Sequence, residues 1–161
     1  GMYTVERSQI ARRVGELLEF FDLEAKREEP IATYSTGMKK KVSLGASLIH
    51  RPRFLLLDEP LEGIDALAAN SVKEALREAS RQGTTVLITS HALDAMERLC
   101  TEIGILHEGR LAVRAPAGGF RELPAPPGTP PFQTLEELFV SVVGRGIAPN
   151  RLRFLHDDES R

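Results

Sequence analysis

Apolar side chains in the first hundred residues recur at the three- to four-residue spacing of amphipathic helices. The spacing predicts one helix from about Ser8 to Phe21. Ser35 is a good N-cap for a second helix, and Asp65 is a possible cap for a third that ends near Gly83. In the second helix one face is formed by Met38, Val42, Gly45 and Ile49. A shorter helix is expected at 92–100.

Other apolar stretches lack this helical spacing and predict strands. Phe54 to Leu57 is an unbroken apolar run, which favours a strand that is buried on both faces of a parallel sheet. The β-branched run at 85–89 predicts a second buried strand. Two further strands, at 102–106 and 110–113, are expected to pair across a turn at Glu108-Gly109.

Two adjacent carboxylates, Asp58 and Glu59, follow the first predicted strand and are closed by Pro60. Open α/β sheets bind their ligands at the carboxyl ends of such strands. Neighbouring strand residues point to opposite faces, so one carboxylate could hold a metal ion while the other activates a water. The plainer interpretation is a solvated acidic turn after a buried strand, and this stretch alone leaves both open.

The start of the second helix has the features of an anion site. Thr36 and Gly37 fall in the first turn, where backbone N–H groups have no partner within the helix. Lys39, Lys40 and Lys41 add positive potential, although on their own they are expected to form a solvated face. A capped helix start is common in proteins, so the signal by itself favours ordinary structure.

Composition narrows the function classes. The chain has 161 residues, of which 27% are charged, and its formal net charge is -2. This balance gives no reason to expect a nucleic-acid partner. No apolar run approaches the roughly 18 residues that a membrane span needs. The single cysteine, Cys100, excludes an intramolecular disulfide and suits a reducing cytoplasm.

Four motifs follow one another in the chain: YSTGMKKK, FLLLDEP, LEGID and Ser90-His91. Together they resemble the signature, Walker B, D-loop and switch-histidine motifs of the ABC-type ATPase nucleotide-binding domain, in its C-terminal portion. A helix over 134–143, capped by Thr134 in a capping box with Glu137, is similar to the last helix of export-type members. The fold implied is α/β: a partial P-loop NTPase with a helical signature subdomain, parallel strands flanked by helices, a β-hairpin and a short C-terminal helix.

The resemblance also implies a role for individual residues. Asp58 would hold Mg²⁺, Glu59 would polarise the attacking water, and His91 would contact the γ-phosphate. The γ-phosphate of a nucleotide held on a partner subunit would be bound by Ser35, Thr36, Gly37 and Met38. Asp65 would tie the two sites together across a head-to-tail dimer.

The sequence departs from the family in one important respect. It contains no G-x-x-x-x-G-K-[ST] string, so nothing here resembles the loop that cradles the α- and β-phosphates. ATP and Mg²⁺ are therefore expected only in a complete domain. The chain is expected to be either a fragment or a descendant that lost its cradle, and in both cases inactive alone. An unpaired sheet edge predicts self-association.

The segments predicted are a helical signature region at 3–52, an ATPase core at 53–114, a structureless Pro/Gly linker at 115–131, and a C-terminal helix and tail at 132–161. The partners implied by the resemblance are a second ATPase subunit and a transmembrane permease, at the cytoplasmic face of the plasma membrane. A non-catalytic interaction module that docks on a complete ATPase is the alternative function. An ABC ATPase of translation or repair ranks last, because the duplicated motifs usual there are absent.

Overall fold

The structure is a computed structural model that describes residues 7–144. These residues divide into two compact units, with the boundary between Ala92 and Leu93. The predicted tail at 147–161 and its fraying lie outside the described residues. Among residues 7–144, no helix has the length and apolar character that a membrane span requires.

The first unit contains three helices and two strands. In chain order they are α1 (Arg7–Phe20), α2 (Thr36–Leu48), β1 (Phe54–Asp58), α3 (Ala66–Arg81) and β2 (Thr85–Thr89). Strands β1 and β2 are parallel and in register from Phe54 opposite Thr85 to Asp58 opposite Thr89. The predicted helix–strand alternation with a parallel pair is therefore confirmed.

The predicted helix caps in the first unit are confirmed. The Ser35 side chain accepts a hydrogen bond from the Met38 amide at the start of α2, and Asp65 accepts one from the Ala68 amide at the start of α3. These bonds satisfy N–H groups that the helix itself leaves without acceptors. Beyond the end of α3, Gly83 has φ +92°, the left-handed conformation that glycine adopts without strain.

The expectation that both strands are buried on two faces is wrong. Leu55 is buried, but Phe54, Leu56 and Leu87 are 57%, 62% and 51% exposed. The physical reason is the small size of the sheet, since within the described residues β1 and β2 pair only with each other. Each strand therefore keeps one edge without a ladder partner in this part of the chain, as predicted.

The second unit is built on the predicted hairpin. It contains α4 (Leu93–Leu99), β3 (Glu102–His107), β4 (Arg110–Pro116) and α5 (Leu135–Val143). Strands β3 and β4 are antiparallel, and the turn residues Glu108 and Gly109 have φ 49° and 73°. Two positive φ values suit the tight turn of a right-twisted hairpin.

Two details of this unit differ from the sequence prediction. The stretch at 115–131 is not structureless throughout, because β4 runs to Pro116 and a 3₁₀ helix, Gly119–Glu122, buries Phe120 completely. The capping box is also shifted by one residue. Thr134 accepts from the Glu137 amide as expected, but the Glu137 carboxylate accepts from the amide of Gln133 rather than of Thr134.

Candidate active site

The carboxyl ends of β1 and β2 lie side by side and bring the predicted acidic residues next to the predicted histidine. Asp58 is the register partner of Thr89, and its carboxylate accepts a hydrogen bond from the Thr89 hydroxyl. One residue further on, the Glu59 amide donates to the Thr89 carbonyl at 2.9 Å. The sheet ladder thus continues to the first residue beyond β1 and fixes the backbone of Glu59.

The Glu59 carboxylate is held by three donors from the segment after β2. Its Oε1 accepts from the His91 amide at 2.9 Å and lies 2.7 Å from His91 Nδ1. Its Oε2 accepts from the Ser90 hydroxyl at 2.9 Å. The backbone of Glu59 has φ 44°, a left-handed conformation that is uncommon for a residue with a side chain and clusters at functional sites.

These contacts shift the pKa values of both side chains, in opposite directions. The hydrogen bond from His91, with smaller contributions from Ser90 and the His91 amide, holds the pKa of Glu59 below its ordinary value. The same hydrogen bond and the negative charge of Glu59 raise the pKa of His91. A protonated His91 donates Nδ1–H to Glu59 and presents Nε2–H as a second donor, on a side chain that is 73% exposed.

The start of α2 is packed against the start of α3 and is not fully open to an anion. Gly37 is buried, and a Cβ atom at this position would lie 2.9 Å from the Ala68 Cβ atom and 3.6 Å from Asp65 Oδ2. The glycine therefore allows α2 to approach the first turn of α3. The Met38 amide is bonded to the Ser35 side chain. Among the amides of this turn, those of Thr36 and Gly37 are the candidates for an anion.

Asp65 uses its carboxylate to cap α3. It accepts from the Ala68 amide at 2.9 Å, and this bond is the main reason that the pKa of Asp65 is lowered. Its proximity to Gly37 places the start of α3 beside the start of α2. The structure thus forms two groups of predicted site residues: one contains Asp58, Glu59 and His91, and the other the α2 start with Asp65.

The three lysines do not form the solvated face that the sequence predicts. Lys39 is exposed, but Lys40 and Lys41 are half-buried. Lys40 Nζ donates to the carbonyls of Glu59 and Glu62, and Lys41 Nζ donates to the Phe21 carbonyl at 3.0 Å. Backbone carbonyls at turns attract the ammonium groups, so Lys40 links the helix that carries Gly37 to the backbone of Glu59.

The described residues supply only part of the ligand set that a magnesium ion needs. Asp58 is an exposed carboxylate beside a hydroxyl, the kind of ligand that Mg²⁺ uses together with substrate phosphates and waters. Within residues 7–144, no group of three or more His, Cys, Asp or Glu side chains is arranged to hold a metal ion. Asp58 could therefore contribute one ligand, with the remaining ligands coming from nucleotide and water.

The sequence analysis assigned no individual role to three residues that contact Asp58 or Glu59: Thr89, Ser90 and Lys40. A signal existed for the first two, since hydroxyl residues at the carboxyl end of a strand parallel to β1 must lie close to Asp58 and Glu59. Lys40 had no comparable signal. Its contact depends on how α2 crosses the turn after β1, and neither periodicity nor motif order reports that crossing.

Two parallel strands end in an acidic pair and a histidine, beside a capped, glycine-containing helix start, at the edge where open α/β sheets bind their ligands. The ABC transporter family model matches residues 1–62. The linearmycin resistance ATP-binding protein of Bacillus subtilis (strain 168) is 36% identical over 110 residues, which are 68% of this chain and 35% of that protein. The Nod factor export ATP-binding protein I of Neorhizobium galegae is 37% identical over 107 residues, 66% of this chain and 31% of that protein.

Structural comparison agrees with the sequence comparison. A solved ATP-binding subunit of an ABC transporter superposes with a TM-score of 0.74 at 30% identity, over 86% of this chain and 56% of that one. The chain belongs to the ABC transporter ATP-binding family and has the α/β fold of that family. It spans about a third of the length of the two curated relatives.

Proposed function

We propose that this chain supplies the hydrolytic edge of the ATP-binding subunit of an export-type ABC membrane transporter. The observation that carries the proposal is the contact between Glu59 and His91, which follow the carboxyl ends of the parallel strands β1 and β2. The transport direction is inferred from relatives, since one of them is named for the export of Nod factor and another for linearmycin resistance.

The proposed roles divide between charge stabilisation and orientation. Bound Mg²⁺ would neutralise phosphate charge during transfer, and Asp58 would contribute a ligand to it. Glu59 would orient the attacking water with its carboxylate. His91 would donate from Nε2 to the γ-phosphate while its Nδ1 remains on Glu59. The three hydrogen bonds to the Glu59 carboxylate would keep it in one orientation towards that water, for which it would act as general base.

We propose that the first turn of α2 binds the γ-phosphate of a nucleotide on a partner subunit. The amides of Thr36 and Gly37 and the positive end of the helix dipole favour an anion there. Ser35 shapes this turn through its bond to the Met38 amide, so Met38 contributes its position rather than its N–H group. Asp65, beside Gly37, would connect this surface to the hydrolytic edge across a head-to-tail dimer.

The partners proposed are a second ATPase subunit and a transmembrane permease, at the cytoplasmic face of the membrane. No residues of this sequence match the phosphate-cradling loop, so hydrolysis by the chain alone is not expected. The exposed apolar face of β1 and β2 favours a second candidate, a non-catalytic module that docks on a complete ATPase through this face. The same face and the two strand edges support self-association.

The test is a chimera in which residues 7–144 replace the matching segment of a complete ABC ATP-binding subunit. Hydrolysis is measured with Mg²⁺ and ATP, alongside the Glu59→Gln variant and a Glu24→Gln control at an exposed position away from the pair. We expect Glu59→Gln to reduce turnover by about 10² to 10⁴, the usual contribution of a positioned general base, and to leave ATP binding intact.

Two outcomes would contradict the proposal. Unchanged turnover in the Glu59→Gln chimera would remove Glu59 from the role assigned to it. A chimera that binds ATP but does not hydrolyse it, with Glu59 in place, would favour the interaction module. A separate titration of the unaltered chain with ATP and Mg²⁺ tests the missing cradle, because micromolar binding by the chain alone would refute it.

A further inference from the structure

Lys40 makes the contact that joins the start of α2 to the turn after β1. Its Nζ donates to the Glu59 carbonyl at 2.8 Å and also to the Glu62 carbonyl. The Glu62 amide completes the turn by donating to the same Glu59 carbonyl at 3.3 Å. A single ammonium group thus bridges the two carbonyls that begin and end this four-residue turn, and it does so from a half-buried position on a neighbouring helix.

The turn needs this support because Glu59 has an unfavourable backbone. With φ 44°, a glutamate persists in the left-handed region only where its surroundings hold it there. Three groups hold it: the Thr89 carbonyl at its amide, the donors on its carboxylate, and Lys40 at its carbonyl. A charged donor on a carbonyl forms a stronger bond than a neutral one.

The next lysine provides an independent parallel. Lys41 Nζ donates to the Phe21 carbonyl, and the residue that follows Phe21, Asp22, also has a positive φ, 55°. Two successive side chains of α2 therefore hold carbonyls at two separate left-handed turns. Adjacent lysines of α2 thus each bind a backbone carbonyl next to, or at, a residue with positive φ.

We propose that Lys40 is a positioning residue that holds the Glu59 backbone in the conformation from which its carboxylate reaches His91 and Ser90. Through Lys40, a change at the first turn of α2 is transmitted to the Glu59–His91 pair. This coupling rests on the proposed function, because it gives the helix that would sense a nucleotide on the partner a mechanical connection to the water-orienting carboxylate.

The test compares Lys40→Met with Lys39→Met, a matched loss of charge at the exposed neighbouring lysine. Amide hydrogen exchange is followed by NMR on the unaltered length of chain, without nucleotide. In Lys40→Met we expect the amides of His91 and Glu62 to exchange about tenfold faster, since each reports a bond that depends on Glu59. The ring ¹⁵N signals of His91 should also shift, because its Nδ1 loses the fixed carboxylate.

Lys39→Met should change neither the exchange rates nor the His91 ring signals. Lys40→Arg, compared with Lys40→Met, should restore part of the exchange protection of the His91 and Glu62 amides. Unchanged exchange at His91 in Lys40→Met would overturn the proposal, and so would a uniform rise across β1 and β2, which would indicate general loss of stability. If Lys40→Met does not fold, amine acylation of the unaltered chain replaces it: Lys40 must react more slowly than Lys39, and equal rates overturn the proposal. None of these readouts involves ATP, so their failure is distinguishable from failure of the proposed hydrolysis.

Discussion

Gly37→Ala separates two explanations for the glycine at the start of α2. If glycine is needed only to let an anion approach, the substitution leaves folding stability unharmed. In the structure, however, the added methyl carbon would lie 2.9 Å from the Cβ atom of Ala68, closer than two such carbons approach in real proteins. Ala68 has no side-chain rotamer that could move this atom away, so α2 or α3 must shift.

The expected magnitude follows from this overlap. Overpacking of a buried contact costs about 1 to 3 kcal/mol, and an alanine in a helix returns up to about 1 kcal/mol relative to glycine. We therefore expect Gly37→Ala to lower the free energy of unfolding by about 1 to 2 kcal/mol. Gly15 is the matched control, because it lies inside α1 and has no atom within 4 Å of an added Cβ. Gly15→Ala should stabilise the chain by about 0.5 to 1 kcal/mol.

Urea unfolding followed by circular dichroism measures both variants under the same conditions. Gly45→Ala is a third point on the scale, since its added Cβ would meet Phe21 and Leu17 at ordinary contact distances of 3.6 and 3.7 Å. The reasoning is refuted if Gly37→Ala is as stable as the unaltered chain. In that case the close approach of α2 to α3 does not explain the glycine, and anion binding becomes the better explanation.

Three further predictions concern charge and association. Glu59→Gln should lower the pKa of His91 towards its ordinary value, which NMR titration of the ring detects; a pKa that stays raised would mean that Glu59 is not its cause. Asp65→Ala should lower the urea midpoint, and the difference should shrink as pH falls through the lowered pKa of Asp65, because a protonated cap loses its advantage. Leu56→Lys should reduce self-association in light scattering over a tenfold concentration range, whereas Leu106→Lys, at a similarly exposed position, should not.

The pH range in which the Glu59–His91 pair is stabilising follows from the direction of both shifts. The pKa of His91 is raised, so its contribution is complete below the ordinary histidine value and is lost as pH rises through the raised one. The pKa of Glu59 is lowered, so its contribution is complete above the ordinary carboxyl value and is lost as pH falls through the lowered one. The stabilising contribution of the pair is therefore complete between the ordinary carboxyl value and the ordinary histidine value, and it is lost as pH falls towards the lowered pKa of Glu59 or rises towards the raised pKa of His91.

Local chemistry was predictable from the sequence wherever one residue determines it. The predicted N-caps all accept a hydrogen bond from the first turn of their helix: Ser35, Asp65 and Thr134. The predicted hairpin turn lies at Glu108-Gly109. In each case the deciding interaction spans only a few residues, so the sequence contains all of it. The family resemblance implied roles for Glu59 and His91 in the same hydrolysis but not their direct contact, for which the register of β1 and β2 supplies the physical basis.

Properties that depend on distant neighbours were not predictable in this way. An unbroken apolar run indicates that Leu56 can be buried. Whether it is buried depends on what covers the sheet, and in this structure Leu56 is 62% exposed. Gly37 could be read as room for an anion, whereas the closest group is a methyl carbon from α3. Lys40 could be read as solvated, whereas a turn nineteen residues away along the chain binds it.

Gly37, Lys40 and the left-handed backbone of Glu59 form one chain of contacts from the start of α2 to the Glu59–His91 pair. Gly37 brings α2 against the start of α3, where Asp65 caps the helix, and this contact limits how far the first turn of α2 can move alone. One helical turn later Lys40 holds the Glu59 carbonyl. Under the proposed coupling, a displacement of α2 is passed through this bond to the Glu59 backbone. A glutamate keeps a left-handed conformation only where its surroundings hold it there, so loss of the Lys40 contact would release the Glu59 backbone. An anion at the start of α2 would consequently act on the orientation of the Glu59 carboxylate, and that orientation determines whether His91 remains its partner.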